Sequence, residues 1–178
     1  MPRPAAAHDP SSQTYVEHAC SGVICGVDAD SLFTTCFRDF GTWGHWVGDE
    51  AQFTLLSGSG REVGAVRCVD FAPDKRLHEQ LLALDDVARV TTYAGINYGT
   101  GADIPPSANP FPGAFVDYVS SISVEPVTVC EGDSPCAFMR WSGSLWTEPA
   151  SDKVMKETLN DFYSRNIRKL QERYRREQ

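Results

Sequence analysis

SDKVMKETLNDFYSRNIRKLQERY, residues 151–174, is the stretch that decides the fold, because it is long and has one clear period. Seven of its residues recur every three or four positions, which places them on one face of a helix. They are Met155, Leu159, Phe162, Tyr163, Asn166, Leu170 and Tyr174. No glycine or proline interrupts the stretch, and Ser151 is suited to cap its first turn. The sequence therefore predicts a long terminal helix with an apolar face to cover.

The segments before this helix predict an antiparallel sheet. A strand over 15–27 is followed by a short helix over 28–40 and by a second short helix that leads into a turn. Strand-like runs then follow one another, separated by the short turns SGSG, APD and DD, which is typical of an antiparallel meander. Two longer runs, 114–129 and 136–148, come last.

One helix cannot fill the concave face of a six- or seven-stranded sheet. A cavity between the sheet and the helix is therefore expected, lined by aromatic residues with a few polar groups. The fold class is predicted to be α+β, a curved antiparallel sheet around a long C-terminal helix with two short helices. The proline- and glycine-rich segment 97–112 is predicted to close over the cavity entrance, because long irregular connections in compact domains are often lids.

Length and composition favour one domain over residues 14–178, preceded by a disordered tail over 1–13. The tail has no apolar stretch of the secretory kind, so a cytoplasmic location is expected. No apolar run is long enough to cross a bilayer, so no stable membrane insertion is expected. The formal net charge is −8, and the cations are concentrated in 153–178, which we interpret as a solvated helix face. This acidic body argues against a nucleic-acid partner.

The cysteines and histidines show no metal-ligand spacing, so neither a metal site nor another cofactor is predicted. Six cysteines without a secretory context are expected to be reduced and mostly buried. The alternative is a disulfide between Cys130 and Cys136, which flank a predicted hairpin turn.

Several segments together resemble a known superfamily. VDADSLFTTCFRDFGTW, LLALDD, MRWSGSLWTE and the terminal helix occur in an order similar to that of the START and birch pollen allergen superfamily. These are helix-grip proteins, also called SRPBCC proteins, and include polyketide cyclase and dehydrase-like members. The resemblance covers roughly residues 14–175. It implies a seven-stranded sheet wrapped around the C-terminal helix, with a hydrophobic cavity between them.

Within that superfamily, several positions resemble the plant abscisic acid receptors. The resemblance places Pro73 in a gate loop, and it assigns further residues to a ligand pocket. Those pocket residues are Glu79, Tyr93, Tyr118, Ser120 and Asn166. Two features depart from the receptors: Val47 stands where they carry a lysine for the hormone carboxylate, and INYGTGADIPP lacks their His-Arg-Leu latch. A buried carboxylate without a cation is costly, so hormone recognition by that chemistry is not expected.

Two residues are candidate proton carriers if the protein is an enzyme. His45 lies between Trp43 and Trp46 and could act as a general base, or it could be structural. Glu79 could be a proton shuttle with a raised pKa, or it could form a salt bridge with Arg67 on the neighbouring strand. The sequence leaves both pairs of alternatives open.

A larger set of residues is predicted to line the ligand site, because they are aromatic or polar and fall near the expected cavity. The set is Trp43, Trp46, Arg67, Glu79, Tyr93, Tyr98, Tyr118, Ser120, Trp141, Phe162 and Asn166. Trp141 and Trp146 are five positions apart on one strand, so they should face opposite sides.

The predicted function is binding of a small hydrophobic or aromatic molecule, of a polyketide, isoprenoid, lipid or hormone-like kind. One alternative is a cyclase or dehydratase that uses the same cavity. The other is a receptor that recruits a protein partner through the 97–112 loop.

Overall fold

The computed structural model describes residues 12–43, 46, 51–96, 108–128 and 134–176. Its elements are β1 (Thr14–Cys25), α1 (Ala29–Cys36), β2 (Gln52–Ser57), β3 (Val66–Ala72), β4 (Lys75–Asp85), β5 (Val90–Ile96), β6 (Phe115–Val127), β7 (Cys136–Thr147) and α2 (Asp152–Arg176). The strands form one antiparallel sheet in the order β1-β7-β6-β5-β4-β3-β2. The predicted helix-grip α+β fold is confirmed. One short helix is seen in the described ranges, and most of the segment predicted to hold the second, 44–45 and 47–50, lies outside them.

Helix α1 begins where an aspartate can cap it. The Asp28 carboxylate accepts hydrogen bonds from the Ser31 backbone N–H at 2.8 Å and from its hydroxyl at 2.7 Å. These bonds satisfy donors that a first helical turn leaves unpaired. Leu32 and Phe33 then turn their buried side chains toward the sheet. The short helix thus covers part of the concave face that α2 leaves open.

The sheet is curved by irregularities in its strand pairing. The register shifts between Asp70 and Ala72 in β3, between Leu81 and Ala83 in β4, and at Asp117 in β6. Asp117 has a φ of 52°, a left-handed conformation that an aspartate adopts more readily than most residues. Such bulges bend strands and increase their twist. The resulting concave face holds α2.

Helix α2 packs closely along β1. An added Cβ at Gly22 would lie 2.9 Å from Ile167 Cγ2, so glycine permits this approach. The Gln171 amide donates a hydrogen bond to the Val23 carbonyl at 3.0 Å, and the Cys20 thiol donates to the Asn160 carbonyl at 3.4 Å.

The face of α2 that was predicted from periodicity is the buried one. Its buried residues are Met155, Leu159, Tyr163, Asn166, Ile167, Leu170 and Tyr174. Phe162 differs from the prediction because it is only half-buried, at the border of that face.

Candidate functional site

Two tryptophans anchor the segment after α1 in the interior. Trp43 Nε1 donates to the Phe37 carbonyl at 3.3 Å, and Trp46 Nε1 donates to the Cys36 carbonyl at 2.8 Å. Both acceptors lie at the C-terminal end of α1, where helical carbonyls lack internal partners. Both rings are buried, and their centroids are 6.0 Å apart. His45, between them in sequence, lies outside the described residues.

Arg67 and Glu79 form a buried ion pair between β3 and β4, where they are direct register partners. Arg67 Nη2 lies 2.6 Å from Glu79 Oε2, and Nε donates to the same oxygen at 2.8 Å. The guanidinium also donates to the Phe40 carbonyl at 2.6 Å and lies 3.8 Å and 4.1 Å from the ring centres of Phe40 and Trp43. Burial raises the pKa of Glu79, and Arg67 opposes that rise. Of the two arrangements left open for Glu79, the structure contains the salt bridge.

A chain of buried hydrogen bonds, here called the hydroxyl network, joins Tyr93, Tyr118, Ser120, Trp141 and Tyr163. Trp141 Nε1 lies 2.9 Å from the Tyr93 hydroxyl and 3.1 Å from Ser120 Oγ, and it donates to both. The Tyr163 hydroxyl lies 3.1 Å from Ser120 Oγ and 2.5 Å from the Tyr118 hydroxyl. Burial raises the pKa of Tyr93 to about 12 and the pKa values of Tyr118 and Tyr163 well above 10. The phenols therefore stay protonated at neutral pH.

Three half-buried phenylalanines, here called the phenylalanine cluster, lie at the border of this interior. Phe71 comes from β3, Phe111 precedes β6, and Phe162 belongs to α2. The Phe71 ring centroid is 5.8 Å from those of both Phe111 and Phe162. Phe111 in turn lies 6.3 Å from Tyr118, and Phe162 lies 6.0 Å from Trp141. The cluster therefore connects the molecular surface with the hydroxyl network.

Asn166 follows Phe162 by one helical turn and has one unsatisfied polar atom. Its Nδ2 donates to the Phe162 carbonyl at 2.8 Å. Its Oδ1 is buried and has no hydrogen-bond partner among the described residues. Buried acceptors without partners are uncommon in folded proteins.

Most of the residues predicted to line the site do meet in the interior. Those in the described ranges are Trp43, Trp46, Arg67, Glu79, Tyr93, Tyr118, Ser120, Trp141, Phe162 and Asn166. Their rings pack closely: Trp141 stacks on Tyr163 with centroids 4.0 Å apart, and Trp43 lies 6.3 Å from Trp141. Aromatic side chains therefore occupy much of the described space between the sheet and α2. Tyr98 and Val47 lie outside the described residues, as does 97–107 of the predicted lid.

Sequence reasoning missed two residues of this interior, Tyr163 and His18. Tyr163 was placed on the buried stripe but not in the site, although it follows Phe162 directly. His18 is 3% exposed, and neither ring nitrogen has a hydrogen-bond partner in the part of the chain that the structure describes. Its ring centroid lies 4.9 Å from that of Tyr163. The alternation of β1, with Val16 and His18 both buried, was the available signal.

Trp146 is half-buried and pairs with the exposed Tyr15, with ring centroids 5.1 Å apart, whereas Trp141 faces the interior. Cys136 is disulfide-bonded, and Cys130 lies outside the described residues. The free cysteines in the described ranges are Cys20, Cys25, Cys36 and Cys68. Those ranges contain no cluster of three residues suited to hold a metal ion and no helix apolar and long enough to cross a membrane.

Residues 31–175 match the family described as polyketide cyclase / dehydrase and lipid transport. The chain belongs to this family. Its membership confirms the predicted helix-grip superfamily, and the polyketide cyclase/dehydrase family has a fold that binds hydrophobic ligands. No curated protein gives a significant match to the sequence.

Solved structures share the fold of this family member at low sequence identity. An uncharacterized protein from Bacillus thuringiensis has a TM-score of 0.67 and 20% identity, over 89% of this chain and 98% of that chain. A truncated norcoclaurine synthase from Thalictrum flavum has a TM-score of 0.62 and 13% identity, over 92% and 97%. The major latex-like protein 151 from Panax ginseng has a TM-score of 0.59 and 19% identity, over 90% and 97%. At these identities the similarity shows the fold alone.

Proposed function

We propose that this family member binds a neutral, hydroxyl-bearing hydrophobic molecule between the sheet and α2. The ligand would be of a polyketide, isoprenoid, lipid or hormone-like kind. It would enter beside the phenylalanine cluster and lie against Tyr118, Trp141 and Asn166. Burial of its apolar surface would contribute about 25 cal/mol per Å² before the costs of association.

The observation that carries this proposal is the unsatisfied Asn166 Oδ1. Leaving a buried acceptor without a donor costs about 1–3 kcal/mol, so a ligand that supplies the donor gains affinity at that position. The atom lies one helical turn from Phe162, in an interior where the Arg67–Glu79 pair and the hydroxyl network already have their own partners. A ligand hydroxyl would donate the missing hydrogen bond to Asn166 Oδ1.

Charge supports a neutral ligand. Arg67 is the buried cation of the described interior, and Glu79 already compensates it. A ligand carboxylate placed there would have no free cation and would lose several kcal/mol of hydration without return. A hydroxyl carries no such penalty.

The test compares the affinities of three naphthalene ligands, which differ in one substituent, for the wild type and for Asn166→Leu. Native mass spectrometry of fresh protein first identifies any small molecule that is copurified. Calorimetry then measures 1-naphthol, 1-methylnaphthalene and 1-naphthoate. We expect 1-naphthol to bind most tightly, and Asn166→Leu to weaken 1-naphthol by roughly tenfold while 1-methylnaphthalene is unchanged. Tighter binding of naphthoate, or equal losses for both neutral ligands, would contradict the proposal.

A second variant pair tests the hydroxyl network. Tyr118→Phe removes a phenol hydroxyl that faces the proposed ligand. Tyr174→Phe removes a phenol hydroxyl near the end of α2, which contacts Cys36 of α1. We expect only Tyr118→Phe to change the affinity for 1-naphthol. Equal effects of both variants would mean that general stability, rather than ligand contact, explains the loss.

The enzyme alternative, a cyclase or dehydratase, is tested with the same materials. If Glu79 carries protons, Glu79→Gln should retain ligand binding and lose turnover. Because this variant alters a buried ion pair, Tyr118→Phe serves as a second probe that leaves the pair intact. A protein partner on the 97–112 loop and a cytoplasmic location remain predictions.

A further inference from the structure

The hydroxyl network has a fixed direction, because each of its hydroxyl groups carries a single hydrogen. Ser120 Oγ lies 2.9 Å from the Ser142 carbonyl oxygen, which can only accept, so the Ser120 hydrogen is used there. The 3.1 Å bond between Ser120 and Tyr163 must then be donated by Tyr163. The bond between Tyr118 and Tyr163 must in turn be donated by Tyr118. The network therefore runs from Tyr118 through Tyr163 and Ser120 to the Ser142 carbonyl.

Trp141 and Tyr93 complete the network from its other side. Trp141 Nε1 can only donate, and it lies 3.1 Å from Ser120 Oγ and 2.9 Å from the Tyr93 hydroxyl. Ser120 Oγ thus accepts from both Trp141 and Tyr163, which uses its two lone pairs. Tyr93 has Ser120 and Tyr118 as further hydrogen-bond partners, and because Ser120 can accept no more, Tyr93 donates to Tyr118. Every hydrogen of the network is therefore already committed.

This direction limits what a ligand can bond to. The network has no uncommitted hydrogen to donate to a ligand in the proposed site. Asn166 offers its buried Oδ1, which has no partner among the described residues, and its Nδ2 already donates to the Phe162 carbonyl. A ligand hydroxyl can donate to Oδ1. A ligand carbonyl can only accept, at most from the second Nδ2 hydrogen, and leaves Oδ1 buried and unpaired.

We propose that the ligand site distinguishes the hydroxyl form of a hydrophobic molecule from its carbonyl form, and that Ser120 sets this preference by fixing the direction of the hydroxyl network. The inference rests on the proposed function, because it concerns the same site. The ligands are then alcohols and phenols rather than the corresponding ketones and quinones. Ser120 acts through Tyr163 and Tyr118, so it is a positioning residue.

Removal of the acceptor on Ser120 should reverse part of the network. In Ser120→Ala, the Tyr163 hydrogen loses its acceptor and can be donated to Tyr118 instead. The Tyr118 hydrogen is then released and can be donated to a ligand carbonyl. Tyr163→Phe releases the same hydrogen directly, because it removes the acceptor of Tyr118. Both variants should therefore gain affinity for a ketone, which a loss of packing alone would not produce.

The test is calorimetry with indane, 2-indanol and 2-indanone, which share one ring system and differ at one carbon. We expect the wild type to bind 2-indanol about tenfold more tightly than 2-indanone. In Ser120→Ala and Tyr163→Phe, tighter binding of 2-indanone should reduce this ratio to about threefold or less. Ser121→Ala is the matched control, since Ser121 is the next residue of β6, faces the opposite side of the sheet and bonds to Thr92 at 2.8 Å. It should keep the wild-type ratio.

The outcomes separate this inference from the proposed function. Equal wild-type affinities for 2-indanol and 2-indanone, or an unchanged ratio in both network variants, would overturn the inference and leave the proposed function standing. If 2-indanol binds no more tightly than indane, the proposed function fails and this inference fails with it. The wild-type comparison needs no variant, and Tyr163→Phe, which loses only a hydroxyl, gives the same information if Ser120→Ala does not fold.

Discussion

Arg67 and His18 are both buried polar residues in the concave face of one sheet, yet their surroundings differ in one respect. Arg67 bonds to Glu79 and to the Phe40 carbonyl, and aromatic rings cover its guanidinium. His18 also packs against aromatic rings, but within the described ranges neither of its ring nitrogens has a hydrogen-bond partner. A buried polar group whose hydrogen bonds are satisfied stabilises the fold. A buried polar group without hydrogen-bond partners remains available to a ligand or a proton.

The largest effect is expected when Glu79 loses Arg67, because Glu79 then becomes a buried polar group without its partner, as His18 already is. Arg67→Met leaves Glu79 buried without its cation, and we expect the free energy of unfolding to fall by about 3–5 kcal/mol. Urea denaturation at pH 7 measures the loss.

The double variant Arg67→Met, Glu79→Leu is the matched control for this prediction. Because it removes both charges, it should recover most of the lost stability. If the single and the double variant are equally destabilised, packing around the guanidinium, rather than charge compensation, accounts for the effect.

A smaller effect is expected from charging His18. Its folded-state pKa of about 4 lies below the ordinary value of 6.5, so the unfolded chain binds a proton first as the pH falls. The contribution of the neutral imidazole is present above about pH 6.5, is lost progressively as the pH falls toward about 4, and amounts to about 3 kcal/mol. Urea denaturation at several pH values between these limits should show the loss.

His18→Phe is the control for this pH dependence, because it keeps a ring above Gly143 and removes the titrating group. Its stability should vary less with pH over the same window than that of the wild type. Parallel curves for the two proteins would assign the acid sensitivity to other groups.

The smallest expected effect concerns Asn166, which resembles His18 in having a buried polar atom without a hydrogen-bond partner among the described residues. Asn166→Leu removes the orphaned acceptor, so we expect the ligand-free protein to gain about 1 kcal/mol in the free energy of unfolding. Thermal and urea denaturation of ligand-free protein test this. A loss of stability would show that the Asn166 amide supports α2 through its bond to the Phe162 carbonyl rather than awaiting a ligand.

Much of the fold was predictable, because secondary structure in this chain follows from periodicity within short windows. The stripe on α2 and the short helix that begins after Asp28 both follow from residues that are three or four positions apart. The disagreement at Phe162 is a matter of degree: a residue at the edge of a helical stripe is buried only if a neighbour covers it. Here it joins Phe71 and Phe111 at the surface.

The candidate site was predicted less completely, since its geometry depends on pairs that are distant in sequence. Glu79 could have been a proton shuttle or an ion-pair partner until the register of β3 and β4 placed it opposite Arg67. His18 carried no motif, and its importance arises from residues such as Gly143 and Lys156, more than a hundred positions away.

The sequence by itself determined the elements of this protein: six or seven strands, a short helix after the first strand and an amphipathic terminal helix, together with the aromatic and polar residues of its interior. Local periodicity and turn chemistry act over a few residues and can be recognised without knowing where the rest of the chain lies. Only the tertiary structure decided which of those polar residues are satisfied. That outcome depends on strand register and on the close approach of α2 to β1. These bring together Arg67 and Glu79 but leave the His18 ring nitrogens and Asn166 Oδ1 without hydrogen-bond partners among the described residues.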